Sequence, residues 1–202
     1  SMIWDVNGIT DFAKTGCTTL CHQEQDDLDR RYMAPATAGD YAELWVWNPG
    51  VTDQKGIMAS YVIEPLPDGV TSDDAYFNNK VTWKHLPGEY GFTHNISETE
   101  YAPKDQISGD KAPLYIINDT PASGDAGIIK AKGNVDGATY TVEFARPRFP
   151  SNKDDLQSFE VDDNGWKDIL FGASFHQNND RDSHLTMLVG ATLRLVGKSA
   201  AE

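Results

Sequence analysis

Cys17-Thr18-Thr19-Leu20-Cys21-His22 gathers both cysteines of the chain into one short stretch and sets a histidine directly after the second. Two thiols and an imidazole in that order suit one piece of chemistry. The thiols add to the vinyl groups of a haem, and the imidazole takes an axial position on the iron. The spacer is one residue longer than in the usual C-x-x-C-H. No cysteine is left over, and the histidine stands where ligation needs it. Other readings use the same thiols. A Cys17–Cys21 disulfide, or two buried thiols, gives His22 no role. A zinc site needs a fourth ligand and usually a second paired cluster, which the chain lacks.

The sixth iron position has two candidates. Met33 comes eleven residues after His22, close enough for the chain to loop over the other haem face, and a thioether raises the potential. His184 is the alternative, standing where the polar run Gln177-Asn178-Asn179-Asp180-Arg181-Asp182 enters the last strand; an imidazole there gives a lower potential. His85, His94 and His176 stand behind these. Met58 and Met187 fall in apolar strands and read as core. Trp4, Trp45, Trp47 and Trp83, with Phe12 and Tyr32, can line a haem pocket or simply pack the core. Trp45 and Trp47 are expected on one face at strand spacing. Lys14, Arg30 or Arg31 can pair with a propionate or stay solvated.

These residues need elements to hold them. Thr10 or Asp11 is expected to cap a short helix through Phe12-Ala13-Lys14, stopped by Gly16, with a second helical turn near Glu24. From residue 41 the period becomes that of strands. Strands are expected at 43–47, 57–63, 81–83, 113–117, 168–175 and 185–195. Gly127–Asn134 and Thr139–Arg146 form a hairpin turning at Asp136-Gly137. Asp162-Asp163-Asn164-Gly165 reads as a further hairpin turn. Segments 64–80 and 86–112 are long connections rich in Pro, Gly and Asp. This predicts a mainly β fold: an antiparallel β-sandwich with a short helical N-terminal haem-attachment segment and long loops. Residues 1–202 are read as one domain, with 1–40 as the attachment segment and 41–198 as the body.

Composition narrows the partners. The chain has 202 residues and a formal net charge of −14. Nucleic acid and anionic lipid are repelled, while a basic redox protein is attracted. No apolar run is long enough to span a membrane. Ser1-Met2 reads as a cloning remnant ahead of a mature start, so a removed export signal and a periplasmic or extracellular location are expected. Hydrolase, zincin, nucleotide-loop and calcium-loop motifs are absent.

Three sets of residues together resemble the cytochrome c-552/DMSO-reductase-like haem-binding domain, the family of the ethylbenzene dehydrogenase γ subunit. They are Gly16-Cys17 to His22 followed by Tyr32-Met33; Gly39 followed by Leu44-Trp45-Val46-Trp47; and Val142-Glu143-Phe144-Ala145-Arg146-Pro147 with Phe171-Gly172-Ala173-Ser174-Phe175 and His184. The resemblance implies a β-sandwich holding one haem and passing electrons outside the cytoplasm. The γ subunits hold a non-covalent haem between a Met and a Lys, whereas this chain resembles the covalently attached branch. It departs at Val46, where relatives often have His, and at Glu43, where they have Asp.

The reading is therefore an extracytoplasmic mono-haem c-type cytochrome, an electron carrier and not itself an enzyme. Its haem c is held by Cys17, Cys21 and His22 with Met33, beside Trp45 and Trp47. Two alternatives stay open: a haem-free sandwich that binds carbohydrate or another ligand, and a haem-based gas sensor.

Overall fold

A computed structural model describes residues 1–20, 33–66, 68, 83–86, 88–94, 115–137, 139–150, 156–161, 165–176, 184–187 and 189–197. The strands among them are β1 (Met2–Asp5), β2 (Ala42–Val46), β3 (Ala59–Ile63), β4 (Trp83–His85), β5 (Phe92–His94), β6 (Tyr115–Ile117), β7 (Lys130–Asp136), β8 (Thr139–Ala145), β9 (Trp166–His176), β10 (His184–Thr186) and β11 (Ala191–Val196). One short helix, α1 (Phe12–Thr15), runs into a 3-10 helix at Gly16–Thr19. The fold is mainly β, an antiparallel β-sandwich with a short helical N-terminal segment. No helix among the described residues is long and apolar enough to cross a membrane.

Chain contacts divide the protein into two compact units. The first comprises Ser1–Val46, Ser60–Leu86 and Pro147–Glu202. Its sheet runs β10-β9-β1-β2-β3-β4, with β11 also paired to β9. β1 lies between β2 and β9, so both its edges are paired, and Ile3 and Trp4, pointing to opposite faces, are both buried. β3 is buried along its whole length, which explains its unbroken Ala-Ser-Tyr-Val-Ile run. β11 instead alternates half-buried and exposed residues, as a strand with one wet face must.

The second unit comprises Trp47–Ala59 and Pro87–Arg146. It holds the β5–β6 pair and the β7–β8 hairpin. In the hairpin Asp136 faces Thr139 across a two-residue loop, and Gly137 takes the left-handed conformation that such a loop requires. This is the expected turn.

Several expectations change in detail. Gly16 stops α1 as predicted, but Asp11 at its N-cap makes no side-chain cap bond; its carboxylate instead pairs with Lys14 Nζ at 2.6 Å. The strand expected over 185–195 is two strands, β10 and β11. The ladder is interrupted between them, where Gly190 lies against the Phe12 carbonyl of α1. β1 and β5 were not foreseen, and β5 falls inside the segment read as a long connection. The helical turn near Glu24 and the turn residues Asp162, Asp163 and Asn164 lie outside the described residues.

Candidate functional site

Cys17 is buried in the 3-10 helix that follows α1. Thr15 Oγ1 donates to the Asp11 carbonyl at 2.9 Å and shares a hydrogen bond with Thr19 Oγ1 at 2.7 Å. Thr18 Oγ1 bonds back to the Thr15 carbonyl. Thr15, the last residue of α1, and Thr18, just after Cys17, thus bind local backbone, their usual preference at helix ends. Cys17 Sγ is hydrogen-bonded to Thr186 Oγ1 on β10.

Three glycines let this segment lie against the sheet and the 187–190 connection. A Cβ at Gly172 of β9 would sit 3.2 Å from Cys17 N and 3.3 Å from Ile3 Cγ2. At Gly190 it would sit 2.6 Å from the Phe12 carbonyl oxygen. At Gly16 it would sit 2.9 Å from the Val189 carbonyl carbon, and Gly16 also has φ +56°, where side chains are strained. Backbone meets backbone at the last two points, so no side-chain rotation can relieve a clash.

The segment after Cys17 is closed at its base. Leu20 N–H donates to the Cys17 carbonyl, and Ala34 N–H donates to the Leu20 carbonyl, each at 3.0 Å. Leu20 and Ala34 are both buried. Cys21 and His22 lie between these anchors, outside the described residues. Met33, half-buried, immediately precedes the closing residue Ala34. The closure therefore brings Met33 back beside the start of the Cys21-His22 segment, although thirteen positions separate Leu20 from Met33.

The tryptophans are distributed differently. Ile3 pairs with Leu44 and Gly172, so these three share the face on which Cys17 rests. Met2 pairs with Trp45, and Trp4 with Phe171, so the aromatic residues occupy the opposite face. There Trp4 stacks on Trp45 with ring centroids 4.7 Å apart, and on Phe171 and Phe159 at 5.2 Å each. Trp45 thus stands behind the sheet from Cys17. Trp47 follows the end of β2 and belongs to the second unit. Its Nε1 donates to Asp53 Oδ1 at 3.1 Å. Asp53 also accepts from Gly133 N–H at 2.6 Å and from Lys132 Nζ at 2.5 Å. Burial opposes the Asp53 charge, but the Lys132, Gly133 and Trp47 hydrogen bonds prevail and hold its carboxyl below the usual range.

The remaining candidates are fixed by register. His184 and His176 are cross-strand partners on β10 and β9. His85 pairs with Tyr61, and His94 with Tyr115. Tyr32, Arg30 and Arg31 lie outside the described residues, while Trp83 is in β4. Phe12 is fully buried and Lys14 is exposed.

Two features carry weight that the sequence reading did not assign. Thr186 and the three close-approach glycines seat Cys17; isolated glycines near a strand end were the available signal. Glu43 is fully buried on the aromatic face. Its carboxylate accepts from Ser60 Oγ at 2.7 Å and from Gln157 N–H at 2.8 Å, joining β2 to β3 and to the 156–161 segment.

Comparison with known proteins gives one match: the ethylbenzene dehydrogenase family, over residues 1–184. No curated protein and no solved structure matches the chain. The match takes in the Cys17 seat, the closed loop, β1 to β9 and the start of β10. The chain belongs to the ethylbenzene dehydrogenase family.

Proposed function

We propose that this chain is an extracytoplasmic electron carrier holding one covalent haem c. Cys17 and Cys21 would hold the group as thioethers, and His22 and Met33 would bind its iron, with His184 as the alternative to Met33. When bound, the haem supplies a one-electron iron couple. The observation that carries the reading is the loop closed by Leu20 and Ala34. It fastens both ends of the segment that contains Cys21 and His22, and it leaves Met33 at the closing end. The donor set fits an iron porphyrin: two sulfurs for attachment, one imidazole, and one thioether.

The protein's own contribution is position and exclusion. Cys17 is held by Thr186 and by the glycine contacts, so one sulfur has a defined seat. Buried Ile3, Leu20, Leu44 and Phe12 supply apolar packing in the same unit. A protected, water-poor setting reduces the reorganisation that accompanies a change in iron charge. The net charge of −14 favours a partner with a basic docking surface, in an encounter that weakens with salt. Covalent attachment through Cys17 and Cys21 would put the protein in the periplasm or outside the cell.

A pyridine haemochrome assay on the purified protein tests this directly. One covalent haem per chain is expected, and no haem would end the proposal. Met33→Ala should abolish the near-infrared thioether–iron band; a band that persists would transfer the sixth position to another residue. Carbon monoxide should leave the six-coordinate spectrum unchanged, whereas rapid binding would favour a gas sensor.

A further inference from the structure

The strand edges differ in how they are guarded. β4, β5, β6 and β10 are three residues each, too short to template another chain, and β11 carries Arg194 in a bridge to Asp168. β8 runs seven residues, Thr139–Ala145, and among the described residues its one strand partner is β7. It contains no Lys, no Pro and no bulge, and Glu143 is its single charge. Its backbone parity is fixed. Ala131 N–H donates to the Gly56 carbonyl, so Ala131 and Phe144 are a non-hydrogen-bonded pair of the hairpin. By the alternation of an antiparallel ladder, Tyr140, Val142 and Phe144 turn their backbone groups to the outer edge. Their side chains share a face with Ala131, Gly133 and Val135. Trp47 lies on that face against Gly133 and meets the Tyr140 ring edge-on, with centroids 6.4 Å apart. Tyr140 and Phe144 are nevertheless 53% and 43% exposed.

We propose that β8 pairs antiparallel with β8 of a second copy of this chain, forming a transient two-fold dimer. With all seven residues overlapped, Val142 faces its symmetry mate, Tyr140 faces Phe144, Thr141 faces Glu143 and Thr139 faces Ala145. The strand is therefore complementary to itself, as a two-fold contact requires. The residues at its outward-facing positions are the ones this register brings opposite each other, so their backbone groups can exchange hydrogen bonds. One face gains two Tyr–Phe pairs around a Val–Val pair, cross-strand combinations that stabilise sheets. The other sets Glu143 against Thr141 and places no like charges directly opposite. Charge also favours this edge over the rest of an acidic chain. From 130 to 146, Lys130, Lys132 and Arg146 outnumber Asp136 and Glu143, whereas the whole chain carries −14. Area sets the strength. A fully covered aromatic ring buries about 150–250 Å², so four half-exposed rings supply about 400 Å². Stable complexes bury about 1,200–2,000 Å², so this contact forms and dissociates rather than holding permanently. The pairing uses no haem ligand and stands apart from the haem reading.

The test is sedimentation equilibrium of the purified chain up to about 1 mM, a range that detects weak association. A monomer–dimer equilibrium is expected, and it should tighten as salt screens the repulsion between two acidic chains. Tyr140→Lys and Phe144→Glu should each weaken self-association by at least about tenfold. Mixing the two variants should restore dimers, because Lys at 140 then faces Glu at 144 across the contact. Circular dichroism of each variant checks that the sheet is intact. Should a variant unfold, amide hydrogen exchange of the native chain decides. Tyr140 and Val142 amides should become protected as concentration rises, whereas Thr141 and Glu143, which face β7, should not change. A chain that stays monomeric throughout overturns the proposal. So does association that both variants leave unchanged, which would put the contact elsewhere, or a variant mixture that fails to dimerise. Protection of Tyr140 and Val142 that appears only when a basic electron-transfer protein is added would hand the edge to that protein and also overturn the dimer.

Discussion

The two faces of the β1–β2–β9 sheet are built on different principles. One face is aromatic: Trp4, Trp45, Phe171 and Phe159 meet ring to ring at 4.7–5.9 Å. The other receives Cys17 through backbone approach at Gly172, while Gly190, just before β11, gives α1 the same clearance of one missing methyl at Phe12. Ring packing supplies burial and tolerates small shifts. Backbone approach supplies little area but leaves almost no freedom of position. The comparison teaches that stability and placement of the candidate site are separable, because they rest on opposite sides of the same strands.

Breaking the aromatic face should have the largest effect. Trp45→Ala is expected to lower stability by about 3–5 kcal/mol in urea unfolding, as for other buried aromatic truncations. The folded fraction should retain its full haem content, since Cys17 lies on the far face. Loss of haem from that folded fraction would show that the two faces are not independent.

Gly190→Ala attacks the other side. Overpacking against the Phe12 carbonyl oxygen is expected to cost about 1–3 kcal/mol. Haem incorporation, measured by haemochrome yield per folded chain, should fall more steeply than stability does. Equal haem content in native and variant would show that the glycine clearance does not set the position of Cys17.

Thr186→Val sharpens the same point. It keeps the shape of the side chain and removes the hydroxyl beside Cys17 Sγ. A stability loss of about 0.5–1.5 kcal/mol is expected from one hydrogen bond. A slower thioether formation rate at Cys17, followed by mass spectrometry, should accompany it.

The second unit offers a pH test. The folded Asp53 carboxyl sits below its ordinary value, so the folded form binds a proton less readily than the unfolded chain. Its contribution is complete above about pH 5, beyond the unfolded value near 3.9, and fades as pH falls through the depressed folded value. Asp53→Asn should therefore flatten the acid limb of stability between about pH 5 and pH 2. An unchanged acid limb would remove Asp53 from the account.

The smallest effect is expected at the exposed β9–β11 pair. Arg194 and Asp168 form a bidentate bridge at 2.5–2.6 Å, with the guanidinium over Trp166. Solvent screens such a pair. Arg194→Gln should leave the urea midpoint unchanged within error.

Much of the local structure was legible in the residues. Gly16 after Phe12-Ala13-Lys14-Thr15 stops a helix whatever surrounds it. Asp136-Gly137 turns a hairpin because two alternating strands flank a residue able to take positive φ. The compact Cys17–His22 spacing marked a candidate site without any fold. Other features were not legible. Met2–Asp5 is too short to announce itself as a central strand; its place depends on β2 and β9, which arrive from forty and one hundred and seventy residues away. The break between β10 and β11 falls where Phe12, far off in sequence, lies against Gly190. Trp45 and Trp47 look like a same-face pair by spacing, but β2 ends at Val46, and Asp53 with Gly133 holds Trp47 in the second unit.

By itself, then, the amino-acid chain determined which atoms are available: two sulfurs and an imidazole in close succession, a thioether beyond them, an acidic surface, and strands alternating by twos. Those properties are local, set by side-chain chemistry and backbone preference over a few bonds. Only the tertiary structure decided that Cys17 and Trp45 stand on opposite sides of one sheet, that Ala34 closes on Leu20, and that His176 faces His184. Each of these depends on the register between strands distant in sequence, and register is chosen by the packing of whole faces rather than by any single residue.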